Sequence, residues 1–214
     1  METLKNFGAF RLCKIGRKDL AKATEFALCT NYQHHLNTKP PVEEIEAYIK
    51  EDHRLFDSSH FYATITDCGK FFGSISACLW NGVDELAFER EYNLNIKELI
   101  KKLGLNPPQV WHVGRLAIDR QIINENPALR ATQGIFFKKL ITHAFAHICT
   151  HPDNLAIAEC DRKLHSTLVR MGIASKELSA GHIIWGSEAL PILNTGTGVQ
   201  AFVEKHKHLL YYNV

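Results

Sequence analysis

Residues 110–119 read VWHVGRLAID, an apolar run of strand length that carries His112, Gly114 and Arg115 in its middle. Val110, Val113, Leu116 and Ile118 favour a buried strand. An arginine is expensive to bury there without a partner, and a glycine weakens the ladder unless it marks a bulge. Local rules broken so close together point to a strand that serves chemistry as well as packing. A regular strand turns His112 and Arg115 to opposite faces; one extra residue between them returns both to a common face. Gly114 is the natural residue for that bulge.

The segments around this strand fix its company. RKDLAKATEFALCTNY, residues 17–32, spaces Leu20, Ala23, Phe26, Ala27 and Cys29 along one helical face, and PPVEEIEAYIKEDHRLF begins a second helix after prolines, with acids in its first turn. FYATITD and FFGSISACLW are β-rich runs joined by a short glycine-containing turn, the pattern of a hairpin. Residues 81–108 are more polar and partly helical, with Ile96, Leu99, Ile100 and Leu103 on one face, and read as an insertion or cover helix. After strand 110–119 comes the polar loop RQIINENPALRATQG, then a helix over about residues 132–150, the strand NLAIAEC, and a helix DRKLHSTLVRMG closed by Gly172. Strand, helix, strand, helix implies a parallel pair. The tail adds one or two strands around Ile183–Trp185 and a helix from about Val199. No linker or repeat divides residues 1–214, so one α/β domain with a mixed sheet is expected.

Composition narrows the partners. A formal charge of +2 with no run of like charges argues against nucleic acid. Six cysteines without a CxxC pair fit reduced thiols and a cytoplasmic setting, and no apolar stretch is long enough for a signal peptide or an integral membrane segment. His143, His147 and His151 recur every four residues, but no acid or cysteine stands with them at ligand spacing and Pro152 ends the helix, so no metal site is expected. NTGTG, residues 194–198, lacks the lysine of a phosphate loop and reads as a turn before the last helix.

The order of elements resembles the GNAT N-acyltransferase fold. Within it, DHRLFDSSHFYATITDCGKFFGSIS, residues 52–76, is similar to the "D..FD", strand, turn, "GS.R" segment of autoinducer (acyl-homoserine-lactone) synthases and N-acyl amino acid synthases. WHVGRLAID is similar to that family's "WE.SRF.V" strand, with Trp111 and Arg115 in place, and CDRKLHSTLVRMGI resembles its "r...l.r.G" helix. Three positions depart from the pattern: His112 replaces a glutamate, Gly114 a serine, and Ser76 an arginine. The family's cyclising chemistry on S-adenosylmethionine leans on those charged positions, so the resemblance implies simple acyl transfer to an amine and not lactone synthesis.

The resemblance implies a GNAT-like α+β fold: a mostly antiparallel mixed sheet, flanked by helices, whose central parallel strands splay. It places a thioester in that splay, with backbone groups of Val113, Gly114, Leu116 and Ala117 holding the pantetheine and carbonyl, and with Trp111, Asp57 and Ser76 near the substrate. The reaction needs a base for an ammonium, stabilisation of an oxyanion and an aligned thioester. His112 suits the base, against a buried histidine bonded to a carbonyl; Arg115 suits a carboxylate or a polarised carbonyl, against a structural ion pair. Glu159, alternating with Leu155 and Ile157, either shares the cleft or ends its strand.

Acetyl-CoA-using relatives wrap the pyrophosphate in a glycine-rich loop at a helix start, where this chain offers Arg130, Gln133 and Gly134. No tightly bound cofactor is implied. The acyl-phosphopantetheine thioester is a substrate, carried by acyl carrier protein or by CoA, and the sparse loop favours the carrier protein. Lys138, Lys139, Arg162 and Lys163 suit its acidic surface, or form solvated helix faces. The acceptor is then a small amine such as an amino acid. An acyl-CoA or acetyl-CoA N-acetyltransferase is one alternative, and a non-catalytic module that binds acyl carrier protein or acyl-CoA is another.

Overall fold

The computed structural model describes residues 1–211, apart from the side chain of Gln133. The chain starts with two strands that its pattern conceals, where the sequence predicts helices first. β1 (Glu2–Asn6) is an edge strand wet on both faces and shows no alternation. β2 (Phe10–Lys14) buries Phe10, Leu12 and Cys13 in only five residues. Then come α1 (Leu20–Leu36), ended by Asn37 in the left-handed region, and α2 (Val42–Leu55), opened by Pro41 with Glu43 and Glu44 in its first turn.

The expected hairpin forms as β3 (Ser59–Thr66) and β4 (Phe71–Leu79). Residues 81–108 fold as two short helices, α3 (Ala87–Tyr92) and α4 (Ile96–Lys102). Glu89 ties them together, its carboxylate accepting from the Leu86 and Ile96 N–H groups at 3.0 and 2.9 Å. Leu86, Phe88, Tyr92 and Ile96 of this segment pack on the sheet with Phe61 and Val110.

β5 (Val110–Ile118) is followed by two short helices where a loop is expected, α5 (Arg120–Glu125) and α6 (Pro127–Arg130), and then by α7 (Gln133–Ile148). Asp119 and Asn126 cap the short helices through Ile122 and Ala128 N–H. β6 (Leu155–Asp161) leads to α8 (Arg162–Arg170), capped by Asp161 through the Leu164 N–H at 2.7 Å. β7 (Ser175–Glu177), β8 (His182–Ile184), β9 (Ser187–Thr195) and α9 (Gly196–His206) complete the described chain.

Among the described residues the strands form one sheet in the order β1-β2-β3-β4-β5-β6-β9-β7, with β8 on β9. β5–β6 is parallel and every other pairing antiparallel. α7 and α9 cover one face, where Leu140, Phe145 and Phe202 pack with Tyr62, Ile75 and Trp111. α1 to α4 cover the other, with Leu20 and Phe88 against Phe61 and Ile157. The cysteines are free thiols, and no described helix is long and apolar enough to cross a membrane.

Lys139, His143 and His147 of α7 lie inside the core. Lys139 is 4% exposed, with its Nζ 3.2 Å from the Phe7 ring centroid, and burial lowers its pKa to about 8. It therefore offers nothing to an acidic partner, a correction to the helix face read from the sequence. His143 and His147 are buried where α7 meets β3: Tyr62 Oη lies 2.8 Å from His147 Nε2, and the His147 ring stacks on His60 at 3.7 Å. Burial holds the pKa of His143 down to about 4, and burial plus the neighbouring His60, Lys14 and His143 holds that of His147 down to about 3.

These depressed values set a direction for acid stability. Below the ordinary value of 6.5 the unfolded chain takes up protons that the folded protein refuses, so stability is full above that pH and lost as pH falls toward 4. His143 and His147 together should contribute a slope of about 3 kcal/mol per pH unit in that window. Denaturant titrations at stepped pH should show it, with about half of it gone in His143→Phe. A flat profile between these pH values would contradict this reading.

Candidate active site

β5 and β6 pair only through Val110–Leu155, Trp111–Ala156 and His112–Ile157, and beyond His112 they part, β5 staying on β4 and β6 on β9. A cavity of about 190 Å³ opens at the divergence and reaches both faces of the sheet. On the α7 side its walls are apolar, from Ile75, Val113, Ile141, Phe145 and Leu168; on the α1–α3 side they carry Tyr48, Glu91, His112, Arg115 and Glu159.

The bulge expected in β5 is present, but its residue is different. Ser76 lies opposite Gly114 and Ser74 opposite Ala117, so Arg115 and Leu116 together oppose Ile75. Arg115, not Gly114, takes the left-handed conformation, with φ of 54°. The bulge brings Arg115 round to the face of His112. Gly114 has a separate reason to be glycine: a Cβ there would lie 3.1 Å from His112 Cε1, closer than side chains normally tolerate. The imidazole lies over the bare backbone.

A left-handed arginine is uncommon and must be held in place. Ser74 Oγ donates to the Arg115 carbonyl at 2.7 Å, and Asn31 Nδ2 to the Leu116 carbonyl at 3.3 Å. The guanidinium forks onto Asp52 of α2, Nε to Oδ2 at 3.0 Å and Nη2 to Oδ1 at 2.8 Å, and Nη2 also reaches Glu51 at 3.0 Å. Tyr48 lies under it, its ring centroid 4.5 Å away, and Thr24 donates to Asp52 at 2.6 Å. Burial alone would depress the arginine's pKa; Asp52 and Glu51 outweigh it and raise the value. The geometry is that of a structural ion pair clamping the bulge to α2, and the fork that would have held a substrate carboxylate is already occupied.

His112 Nε2 and Glu159 Oε2 lie 2.9 Å apart across the gap between the strands. Burial pulls the imidazole's pKa down, but the charge and hydrogen bond of Glu159 overcome it, so the net direction is up. Glu159 moves the opposite way: burial raises it, His112 lowers it further, and the net direction is down. With Nε2 held by the carboxylate, Nδ1 is the nitrogen left to take a proton.

Other expected site residues are dispersed. Val113, Gly114 and Leu116 line the cavity, whereas Ala117 is buried opposite Ser74 on β4 and does not. Ser76 is buried within the sheet, and Trp111 faces α7, where its Nε1 donates to Gln109 Oε1 at 3.3 Å. Asp57 is on the surface, 86% exposed and paired with Arg17 at 2.5 Å. Arg130 and Gly134 are exposed at the approach to α7, outside the cavity lining, and the Gln133 side chain lies outside the described residues.

Tyr48, Glu91, Trp185 and Asn194 are among the lining residues that escaped the sequence reading. Tyr48 and Glu91 reach the polar side from α2 and α3, with Tyr48 Oη 3.4 Å from Glu91 Oε1. Trp185 sits with Gly186 in the left-handed turn between β8 and β9, packs against Tyr32 and donates to Glu44. Asn194 lines the cavity from β9. The two-residue Trp-Gly connection between apolar runs was a usable signal for the turn; nothing local marked the other three.

No family profile and no curated sequence matches the chain. Among solved structures it is similar to FeeM, an N-acyl amino acid synthase from uncultured soil microbes, at 11% identity and a TM-score of 0.60, covering 93% of this chain and 96% of that one. It is similar to TofI, solved in a ternary complex with an inhibitor and MTA, at 15% identity and a TM-score of 0.57, covering 91% and 96%. An acetyltransferase of the GNAT family from Staphylococcus aureus Mu50 matches at 13% identity and a TM-score of 0.51, covering 87% and 98%. At these identities the likeness is one of fold: the chain folds as the GNAT proteins do, a mixed and mostly antiparallel sheet with a splayed parallel pair.

Proposed function

We propose that the protein is an N-acyltransferase that moves an acyl group from a phosphopantetheine thioester to the amine of a small acceptor. The observation that carries this reading is the His112–Glu159 pair at the point where β5 and β6 part, with an apolar pocket on one side and a carboxylate-rich one on the other. The thioester lies in the splay with its acyl chain toward Ile141, Phe145 and Leu168, and the acceptor enters past Glu91 and Tyr48.

The acceptor arrives as an ammonium and yields a proton to His112 Nδ1, while Glu159 holds the Nε2 side and steadies the imidazolium. The amine nitrogen then bonds to the thioester carbon, the C–S bond breaks, and the thiolate leaves to be reprotonated. The other proton on nitrogen balances it. Arg115 does not touch the substrate in this scheme; it positions the bulge. Acceptors are therefore recognised by their amine, and an amino acid's carboxylate must find groups other than the Arg115 fork.

Acyl carrier protein is the proposed donor. α7 begins directly after α6, without the glycine-rich loop that would wrap a pyrophosphate. Lys138 and Lys163 are exposed, as is Arg162 in its pair with Glu188. Turnover of a carrier-bound acyl group should exceed that of the same acyl-CoA and should fall as salt is raised. Equal, salt-insensitive turnover would point to CoA.

The dyad also fixes the sign of a pH effect. The imidazole's pKa is raised above 6.5, and only the unprotonated ring is a base, so kcat/KM should climb with pH along a limb lying above 6.5. Glu159→Gln removes the charge that lifts the ring and should move that limb to lower pH. A limb unmoved by the substitution would remove Glu159 from the scheme.

A further inference from the structure

Asn194 is 2% exposed and lines the cavity, and neither its Oδ1 nor its Nδ2 has a hydrogen-bond partner among the described residues. Its place on β9 says which part of the cavity it serves. Leu190, Ile192 and Asn194 alternate onto the α7 side, the apolar one. Asn194 pairs with Ala156, which pairs in turn with Trp111, so it lies level with the strands while they are still joined, below the divergence where His112 and Glu159 meet. Across the ladder stands Ser175, whose hydroxyl is likewise buried without a partner.

A buried amide left unsatisfied is destabilising, and a pocket that carries one discriminates strongly between ligands that complete it and ligands that do not. A methylene chain satisfies neither atom. A ketone accepts from Nδ2 and leaves Oδ1 bare. A hydroxyl does both, accepting from Nδ2 and donating to Oδ1. We infer that the apolar pocket takes an acyl chain bearing a hydroxyl group, so that the donor class is hydroxyacyl and not plain saturated acyl. This rests on the acyl-transfer reading above for the identity of the chain, while Asn194 supplies its selectivity.

The test uses unreactive S-alkyl pantetheine thioethers of one chain length, unsubstituted or hydroxylated at successive carbons, with binding measured by calorimetry. Wild-type protein should bind the best hydroxylated probe about tenfold or more tightly than the plain one, and Asn194→Leu should abolish the difference by gaining affinity for the plain chain. Equal binding of all probes by wild type, no binding of any, or an unchanged preference in folded Asn194→Leu would overturn the inference. The wild-type comparison decides even if the variant folds poorly. Acyl transfer without any preference for hydroxylated chains would sink the inference and leave the transferase reading standing; preference without turnover would do the reverse.

Discussion

Replacing His112 by alanine should lower kcat/KM for acyl transfer by about 100- to 10,000-fold, the range associated with loss of a positioned general base. The loss should shrink at high pH, where the acceptor amine is already unprotonated and needs no help. The variant also leaves Glu159 facing the cavity without the imidazole that lowers its pKa, so its carboxyl should titrate higher than in the wild type. His112→Gln, which can still donate to Glu159, separates the two consequences: stability near wild type, activity near that of the alanine variant. A His112→Ala protein that folds and transfers acyl groups at the wild-type rate would remove the dyad from catalysis.

Arg115→Ala should be the most destabilising single change in the cleft. It leaves Asp52, 1% exposed, with Thr24 as its hydrogen-bonding partner and with Glu51 beside it, and breaking a buried ion pair from one side costs about 3–5 kcal/mol. For a chain of this size that corresponds to a fall in Tm of about 10 °C. Arg115→Lys should recover only part of the loss, since one ammonium cannot reproduce the two-pronged contact with Asp52. Asp52→Asn should cost nearly as much as Arg115→Ala. Thermal denaturation followed by circular dichroism measures all three, and a shift of less than about 2 °C for Arg115→Ala would mean that the pair does not hold the bulge.

Much of this arrangement was legible because single segments contradict themselves. VWHVGRLAID advertises both a strand and a bulge, and the strand–helix–strand–helix order after it dictates the parallel pair. What the segment withholds is which residue bulges, because the choice is made by groups brought in from afar. Asp52 lies 63 residues before Arg115, and nothing in either local sequence announces the pairing. The likeness around residues 52–76 drew attention to Asp57, but the carboxylate that matters sits five residues earlier, on the inward face of α2. β1 and β2 were missed for different reasons: β1 is a polar edge strand with no alternation, and β2, though buried inside the sheet, is only five residues long. Lys139 and Asn194 show the same limit from the other side: a polar residue reads as exposed until packing shows it buried.

The most direct test of the transferase reading is intact-mass analysis of a reaction containing an acyl-carrier-protein thioester, a pool of small amines and the purified protein, run beside its His112→Ala variant. The expected result is an amine heavier by the acyl group, together with free holo-carrier protein, at a rate that falls at least a hundredfold in the variant. An intact thioester, or acylated amine formed equally fast with His112 absent, would contradict acyl transfer by the His112–Glu159 pair.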